Sequence, residues 1–188
     1  MTPEEIVAHL QEVDASFVER SEVQFGQASV WVPADKWVAC GTHLKECGRC
    51  HFDMFTFMSG VDWPEQNEIE VVTHVYSVRR QHHLNMKIRV ARDGGKVPTL
   101  SGIWRGANWQ ERETWELFGV TFEGHPHLVK LLLPEAFDGF PLRKDFLLMT
   151  REAKEWEGRE NPGPPDSSPR PGRVPTSGGQ NPAKEGAH

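Results

Sequence analysis

Nowhere in this sequence do some eighteen apolar residues run together, so no segment reads as a membrane-spanning helix. The opening stretch, MTPEEIVAHLQEVDASF, has neither a basic n-region nor a continuous apolar core and does not read as a secretory signal. Cysteine is scarce. Three thiols, an odd number, argue against a disulfide framework, and without an export signal Cys40, Cys47 and Cys50 are expected to stay reduced in a cytosolic setting. Dinucleotide, phosphate-loop, nucleophile-elbow and HExxH motifs are all missing, and the Gly-Gly-Lys at 94–96 reads as a hairpin turn. Positive charge is also short: a net charge of −6 argues against nucleic acid or an anionic membrane as a direct partner. Against a single Tyr stand seven Trp and ten Phe, rings suited to burial in a core or against partner proteins. At 37% apolar residues and a mean hydropathy of −0.56, the chain is polar for its 188 residues, which suggests that part of it lies outside a core.

That part is legible in the sequence. Beyond Met149 the stretch NPGPPDSSPRPGRVPTSGGQNPAKEGAH is dominated by Pro, Gly and Ser and has no apolar periodicity. The sequence therefore divides into a folded domain over 1–149 and a tail over 150–188, expected to be extended on a partner or disordered.

Within the domain, Ile6, Val7, Leu10, Val13, Phe17 and Val18 fall near helical spacing over residues 3–20, with Thr2 placed as N-cap ahead of Pro3 and Glu5. Val23 to Val32 suggest a hairpin turning at Gly26-Gln27, and Pro33-Ala34-Asp35 opens a second helix carrying Trp37, Val38, Cys40 and Leu44. Strands follow over HFDMFTFMSGVDW, expected to be buried through Phe52, Met54 and Phe55, over IEVVTHVYSVRR, and over HHLNMKIRV, where Leu84, Met86, Ile88 and Val90 alternate with Asn85, Lys87 and Arg89. A short strand near Val97–Leu100 precedes a helix capped by Ser101 and stopped at Gly119. The order predicts an α+β fold, a single domain with helices packed on one face of a mixed or antiparallel sheet.

One run invites a reading as chemistry. CGTHLKECGRCHF contains the haem-attachment pattern CxxCH at Cys47–His51, but haem attachment normally takes place outside the cytosol and the export signal is lacking. The same run spells CxxHxxxCxxC, so Cys40, His43, Cys47 and Cys50 form a candidate zinc staple if the helix ends near Lys45. The plainer reading makes Cys40 a small apolar residue on a helix face. His82 and His83 open an alternating strand and point to opposite faces, which suits strand-end polar residues and not a shared metal. Glu111 and Glu113 are splayed by roughly 200° on a helix, so with Arg112 they form a charge cluster suited to salt bridges.

The stretch from Ala107 to Phe146, ANWQERETWELFGVTFEGHPHLVKLLLPEAFDGFPLRKDF, resembles the signature region of the 30-kDa-type (C) subunit of respiratory complex I, the proton-pumping NADH:quinone oxidoreductase. The likeness lies in Glu111-Arg112-Glu113, Trp115-Glu116, Leu117-Phe118-Gly119, Phe122-Glu123-Gly124-His125-Pro126, Leu131-Leu132 and Pro141-Leu142-Arg143-Lys144-Asp145-Phe146. FDMFTFMSGVDW, VYSV and SGIWRGANW extend it over roughly 20–150. His127 departs from the family's usual acidic residue, and Phe140 from its usual His.

The resemblance implies a subunit without a catalytic centre or bound cofactor of its own, FMN, iron–sulfur clusters and quinone belonging to partner subunits. It implies docking on the quinone-site subunit, the 49-kDa type, and on the neighbouring iron–sulfur subunits, with the tail along the quinone-site subunit. It also implies a peripheral place on the cytoplasmic face of the inner or cell membrane. Glu111, Arg112, Glu113, Gly124, His125, Pro126, Pro141, Arg143, Lys144 and Asp145 are the residues expected to shape docking. Two alternatives stay open: the equivalent subunit of a ferredoxin- or hydrogenase-linked sister complex, and a free-standing zinc-stapled binding module.

Overall fold

The computed structural model describes residues 1–146. The expected boundary at 149/150 and the tail over 150–188 lie outside the described residues.

Thr2 opens α1 (Pro3–Val13) as the sequence predicts. Its hydroxyl accepts the Glu5 N–H at 3.2 Å, and the Glu5 carboxylate accepts the Thr2 N–H at 2.9 Å, a capping box with Pro3 in the first turn. Ile6, Val7 and Leu10 are buried, and His9 shares their side of the helix. α1 stops sooner than the apolar spacing to residue 20 suggested. Asp14 turns extended, and its carboxylate accepts the Ser16 N–H at 2.9 Å to open a separate 3₁₀ turn, Ala15–Phe17.

β1 (Arg20–Gln24) and β2 (Gln27–Trp31) form the expected hairpin one residue early. Phe25 and Gly26 hold φ values of 51° and 74°, the two positive-φ positions of a primed two-residue turn. A 3₁₀ turn leads into α2 (Trp37–Glu46), which buries Trp37, Cys40, Gly41 and Leu44. β3 (Met54–Trp63), β4 (Glu68–Ser77) and β5 (His82–Ala91) form an antiparallel meander. The third predicted strand starts later than expected and ends with the predicted run, and it is not buried throughout: Met54 and Phe57 are exposed, while Phe52 is buried just ahead of the strand.

β5 lies beside β2, parallel to it with Val30 opposite Met86, and the sheet order is β1-β2-β5-β4-β3. The sheet is mixed, and the fold is α+β as predicted. Leu84, Met86 and Ile88 on β5 and Ile69, Val71 and Val75 on β4 are buried in one core with α1 and α2, while Asn85, Lys87 and Arg89 line the other face. Each such aliphatic side chain contributes about 1.5–3 kcal/mol by leaving water.

The rest of the domain positions the signature region. α3 (Ala107–Phe118) packs on β3, with the Phe118 ring over Gly60, where an added Cβ would stand 2.8 Å from it. The short strand predicted near Val97 is β6 (Lys96–Pro98). It pairs in parallel with β7 (Thr121–Glu123) beyond α3, forming a second, two-stranded sheet. Ser101 does not cap α3. The N-cap is Gly106, and the Ser101 hydroxyl bonds Thr99 at 2.8 Å instead. Gly119 ends the helix in the left-handed region at φ 83°, as its position in the sequence suggests.

Candidate functional site

Three charged residues of α3 hold what surrounds them. Glu111 is fully buried: one carboxylate oxygen accepts the Leu100 N–H at 2.7 Å and the other accepts the Thr99 hydroxyl at 2.5 Å. Burial pushes its carboxyl up to about 7, although both hydrogen bonds favour the ionised form. Arg112 donates through Nε to the Val129 carbonyl at 2.8 Å and through Nη2 to the Lys130 carbonyl at 3.0 Å. Glu116, also buried, accepts the N–H groups of Leu131, Leu132 and Leu133 at 2.9, 2.8 and 3.2 Å. Lys130 turns back to donate to the carbonyls of Glu135 and Phe137 at 3.0 and 2.6 Å. The irregular ribbon from 124 to 146 is thereby fixed on a helix by ionised side chains, and its backbone groups find partners that no sheet supplies.

His125 has a buried side chain. Its Nε2 donates to the Asn108 carbonyl at 3.1 Å and its Nδ1 accepts the His127 N–H at 3.0 Å. Those two bonds fix a neutral imidazole, so the 3.9 Å approach of Nε2 to Glu111 is not an ion pair. Gly124 holds φ 80° at the turn before it, and Pro126 is exposed.

At the far end of the ribbon, Arg143 caps the end of α3. Its Nε donates to the Phe118 carbonyl at 2.7 Å, Nη2 to the Arg92 carbonyl at 2.6 Å and Nη1 to Asp93 at 2.8 Å, while the guanidinium lies over Phe140 at 4.4 Å. Arg92 in turn bonds two carboxylates with two nitrogens each: buried Asp62 at 2.8 and 2.9 Å and exposed Asp145 at 3.1 and 2.7 Å. The hydrogen bonds from Arg92, joined by the Lys144 N–H, hold the Asp62 carboxyl below the usual carboxylate range. Lys144 is exposed, Pro141 and Glu113 are half-buried.

Of the residues singled out in the sequence, then, the structure brings Glu111 and His125 together, and links Arg143 and Asp145 through Arg92. It engages Glu111, Arg112, His125 and Arg143 inside the chain. Arg92, Asp62 and Glu116 complete the arrangement and were not named as site residues. Glu116 stood inside the signature block and Asp62 inside FDMFTFMSGVDW, while Arg92 stood in none of the quoted stretches. Among the side chains that the fixed ribbon and α3 turn outward are three large apolar ones: Trp109, Leu132 and Leu142 are 67%, 63% and 49% exposed.

The cysteine run requires a correction. Cys40 does not join the side chains that converge. It is fully buried in the core, where burial pushes its thiol up to about 12, and the group that converges is His9, His43, Cys47 and Cys50, whose donor atoms all lie within 4.8 Å of one another. α2 turns Cys40 and Leu44 into the core, while its C-terminal end brings His43 and Cys47 against α1. His9 was missed because it lies 38 residues before Cys47; its one signal was its place at i+3 from Ile6, on the buried side of α1. His82 and His83 part as expected: His82 is buried against the Cys50 carbonyl at 2.7 Å, and His83 lies near His74 on the other face.

Comparison with known proteins agrees with the signature region. The family model described as respiratory-chain NADH dehydrogenase, 30 Kd subunit, matches residues 30–152. The C subunit of the NADH-quinone oxidoreductase of Rhizobium rhizogenes is 39% identical over 143 residues, covering 76% of this chain and 71% of the relative. The subunit of the same name from Moorella thermoacetica is 44% identical over 119 residues, 63% of this chain and 79% of that one. Among solved structures, a chain of the membrane-bound sulfane sulfur reductase, an archaeal respiratory membrane complex, aligns with TM-score 0.65 at 32% identity over 78% of this chain and 86% of its own. The trypsin-resistant fragment of Nqo5, at 24% identity and TM-score 0.56, shares the fold over 67% of this chain and 99% of its own. The signature residues, the family model and these relatives together place the chain in the family of the 30 kDa subunit of respiratory-chain NADH dehydrogenase, the C subunit of NADH-quinone oxidoreductase.

Proposed function

We propose that this chain is a non-catalytic assembly subunit in the peripheral arm of a membrane-bound NADH:quinone oxidoreductase, on the cytoplasmic face of the membrane. It docks on the quinone-site subunit and adjacent iron–sulfur subunits, and its partners carry the FMN, iron–sulfur clusters and quinone. The observation that carries this reading is the use made of the signature charges. Arg112, Glu116 and Arg143 hold an irregular ribbon rigid from within, while Leu132, Leu142 and Trp109 point outward, as an interface core requires. A ribbon fixed before association lowers the ordering cost of docking.

The test is affinity purification of the tagged protein from detergent-solubilised membranes, with flavin and iron quantified in the eluate. Co-elution with flavin, iron–sulfur and quinone-site subunits, with NADH:quinone activity, is the expected result. Leu132→Glu with Leu142→Glu should reduce that co-elution at least tenfold without lowering the unfolding midpoint of the isolated chain. Unchanged co-elution would place docking elsewhere.

A second reading rests on the similarity to a chain of the sulfane sulfur reductase complex. In it, the same scaffold serves a sister complex with another electron donor. Ferredoxin-linked activity in an eluate without flavin would select it.

A further inference from the structure

The cluster between α1 and the end of α2 takes no part in the docking reading, and its chemistry is specific. His9 Nε2 lies 3.3 Å from Cys47 Sγ and 3.4 Å from His43 Nε2, and Cys50 Sγ falls within the same 4.8 Å group. A zinc ion with Zn–N near 2.05 Å and Zn–S near 2.3 Å in a tetrahedron separates two nitrogens by about 3.35 Å and a nitrogen from a sulfur by about 3.55 Å. The two edges in the structure, 3.4 Å between the nitrogens and 3.3 Å from nitrogen to sulfur, lie within about 0.3 Å of those values.

Hydrogen bonding alone accounts poorly for the arrangement. Each neutral imidazole carries one N–H and each thiol one weak S–H, so the nitrogens and sulfurs converge with more lone pairs than protons to share. A cation at the centre satisfies all four at once. We propose that His9, His43, Cys47 and Cys50 form a tetrahedral zinc site that ties α1 to the C-terminal end of α2.

The surroundings suit this. Cys47 closes α2 as its C-cap, and Cys47-Gly48-Arg49-Cys50 is a tight turn in which the His51 N–H returns to the Cys47 carbonyl at 2.8 Å. Two thiolates and two imidazoles are the soft set that selects zinc over magnesium or calcium. Four protein ligands leave no open position, so the ion is structural and takes no part in electron transfer. His9 and Cys50 are buried, while His43 and Cys47 are half-buried and leave one side for metal entry. With zinc on Nε2, the His9 Nδ1 carries the proton, so the exposed Arg49 guanidinium, 3.3 Å away, turns aside toward Glu12.

The test uses the full chain with its affinity tag removed, incubated with zinc under reducing conditions, desalted and analysed for metal by mass spectrometry. One zinc per chain is expected, with submicromolar affinity by chelator competition and an unfolding midpoint that falls on the order of 10 °C when a strong chelator removes the ion. Cobalt substitution gives a reading without variants. Tetrahedral ligand-field bands with thiolate-to-cobalt charge transfer are expected, and an octahedral spectrum without charge transfer overturns the site. Cys47→Ser, Cys50→Ser, His9→Ala and His43→Ala should each weaken binding at least about a hundredfold. Cys40→Ala should leave stoichiometry and the cobalt spectrum unchanged. Zinc well below one per chain, undiminished binding in His9→Ala, or loss of binding in Cys40→Ala would each overturn the assignment.

Discussion

Arg112 and Glu116, one turn apart on α3, grip the same ribbon by opposite chemistry: the guanidinium holds the carbonyls of Val129 and Lys130, and the carboxylate holds the N–H groups of Leu131, Leu132 and Leu133. Five successive residues without regular secondary structure are thus satisfied from one helix face.

Glu116→Gln tests that grip. The amide retains one acceptor oxygen and turns an NH₂ toward a backbone donor, so at least one N–H of the three loses its partner. A loss of roughly 2–3 kcal/mol in urea unfolding is expected, with faster hydrogen exchange at 131–133. Unchanged exchange there would show that the ribbon holds itself.

Glu111 predicts a pH dependence. Its folded carboxyl titrates at about 7 against 4.5 when unfolded. Between those values the folded state keeps a proton that the unfolded state has released, so stability falls as pH rises from about 4.5 to about 7 and changes little above. The full effect is at most about 3 kcal/mol. Glu111→Gln keeps the Leu100 N–H bond and can donate to Thr99, so its stability should be flatter across that window. Unfolding midpoints at several pH values for both proteins check this.

Arg92→Ala leaves the Asp62 carboxylate buried with the Lys144 N–H as its remaining hydrogen-bond donor. A loss of about 3–5 kcal/mol is expected, more than for Asp145→Ala, whose carboxylate is exposed. The Asp62 carboxyl is held low when folded, so its contribution is present above pH 3.8 and lost as pH falls through the lower folded value. Equal costs for Arg92→Ala and Asp145→Ala in denaturant unfolding would contradict this account.

Deleting residues 150–188, which lie outside the described residues, should weaken association with the quinone-site subunit and leave the domain's unfolding midpoint nearly unchanged. Co-purification and thermal unfolding of the truncated chain measure both, and a large fall in midpoint would sink the clamp reading of the tail.

Much of this protein is determined by order along the chain. Alternation in HHLNMKIRV requires one wet face of a sheet, Thr2-Pro3-Glu5 opens a helix, Gly119 closes one, and the block from Glu111 to Phe146 carries the family. These are local patterns, set by neighbours a few residues away. Only the tertiary structure decided what distant groups do together. It pairs β2 with β5 and β6 with β7 in parallel, places Arg143 on the carbonyl at the end of α3, and brings His9, not Cys40, together with His43, Cys47 and Cys50. The reason is physical. A helix fixes which residues share a face, but which face meets core and which meets another helix follows from burying the apolar stripes of α1 and α2 together, and no spacing within one segment carries that information.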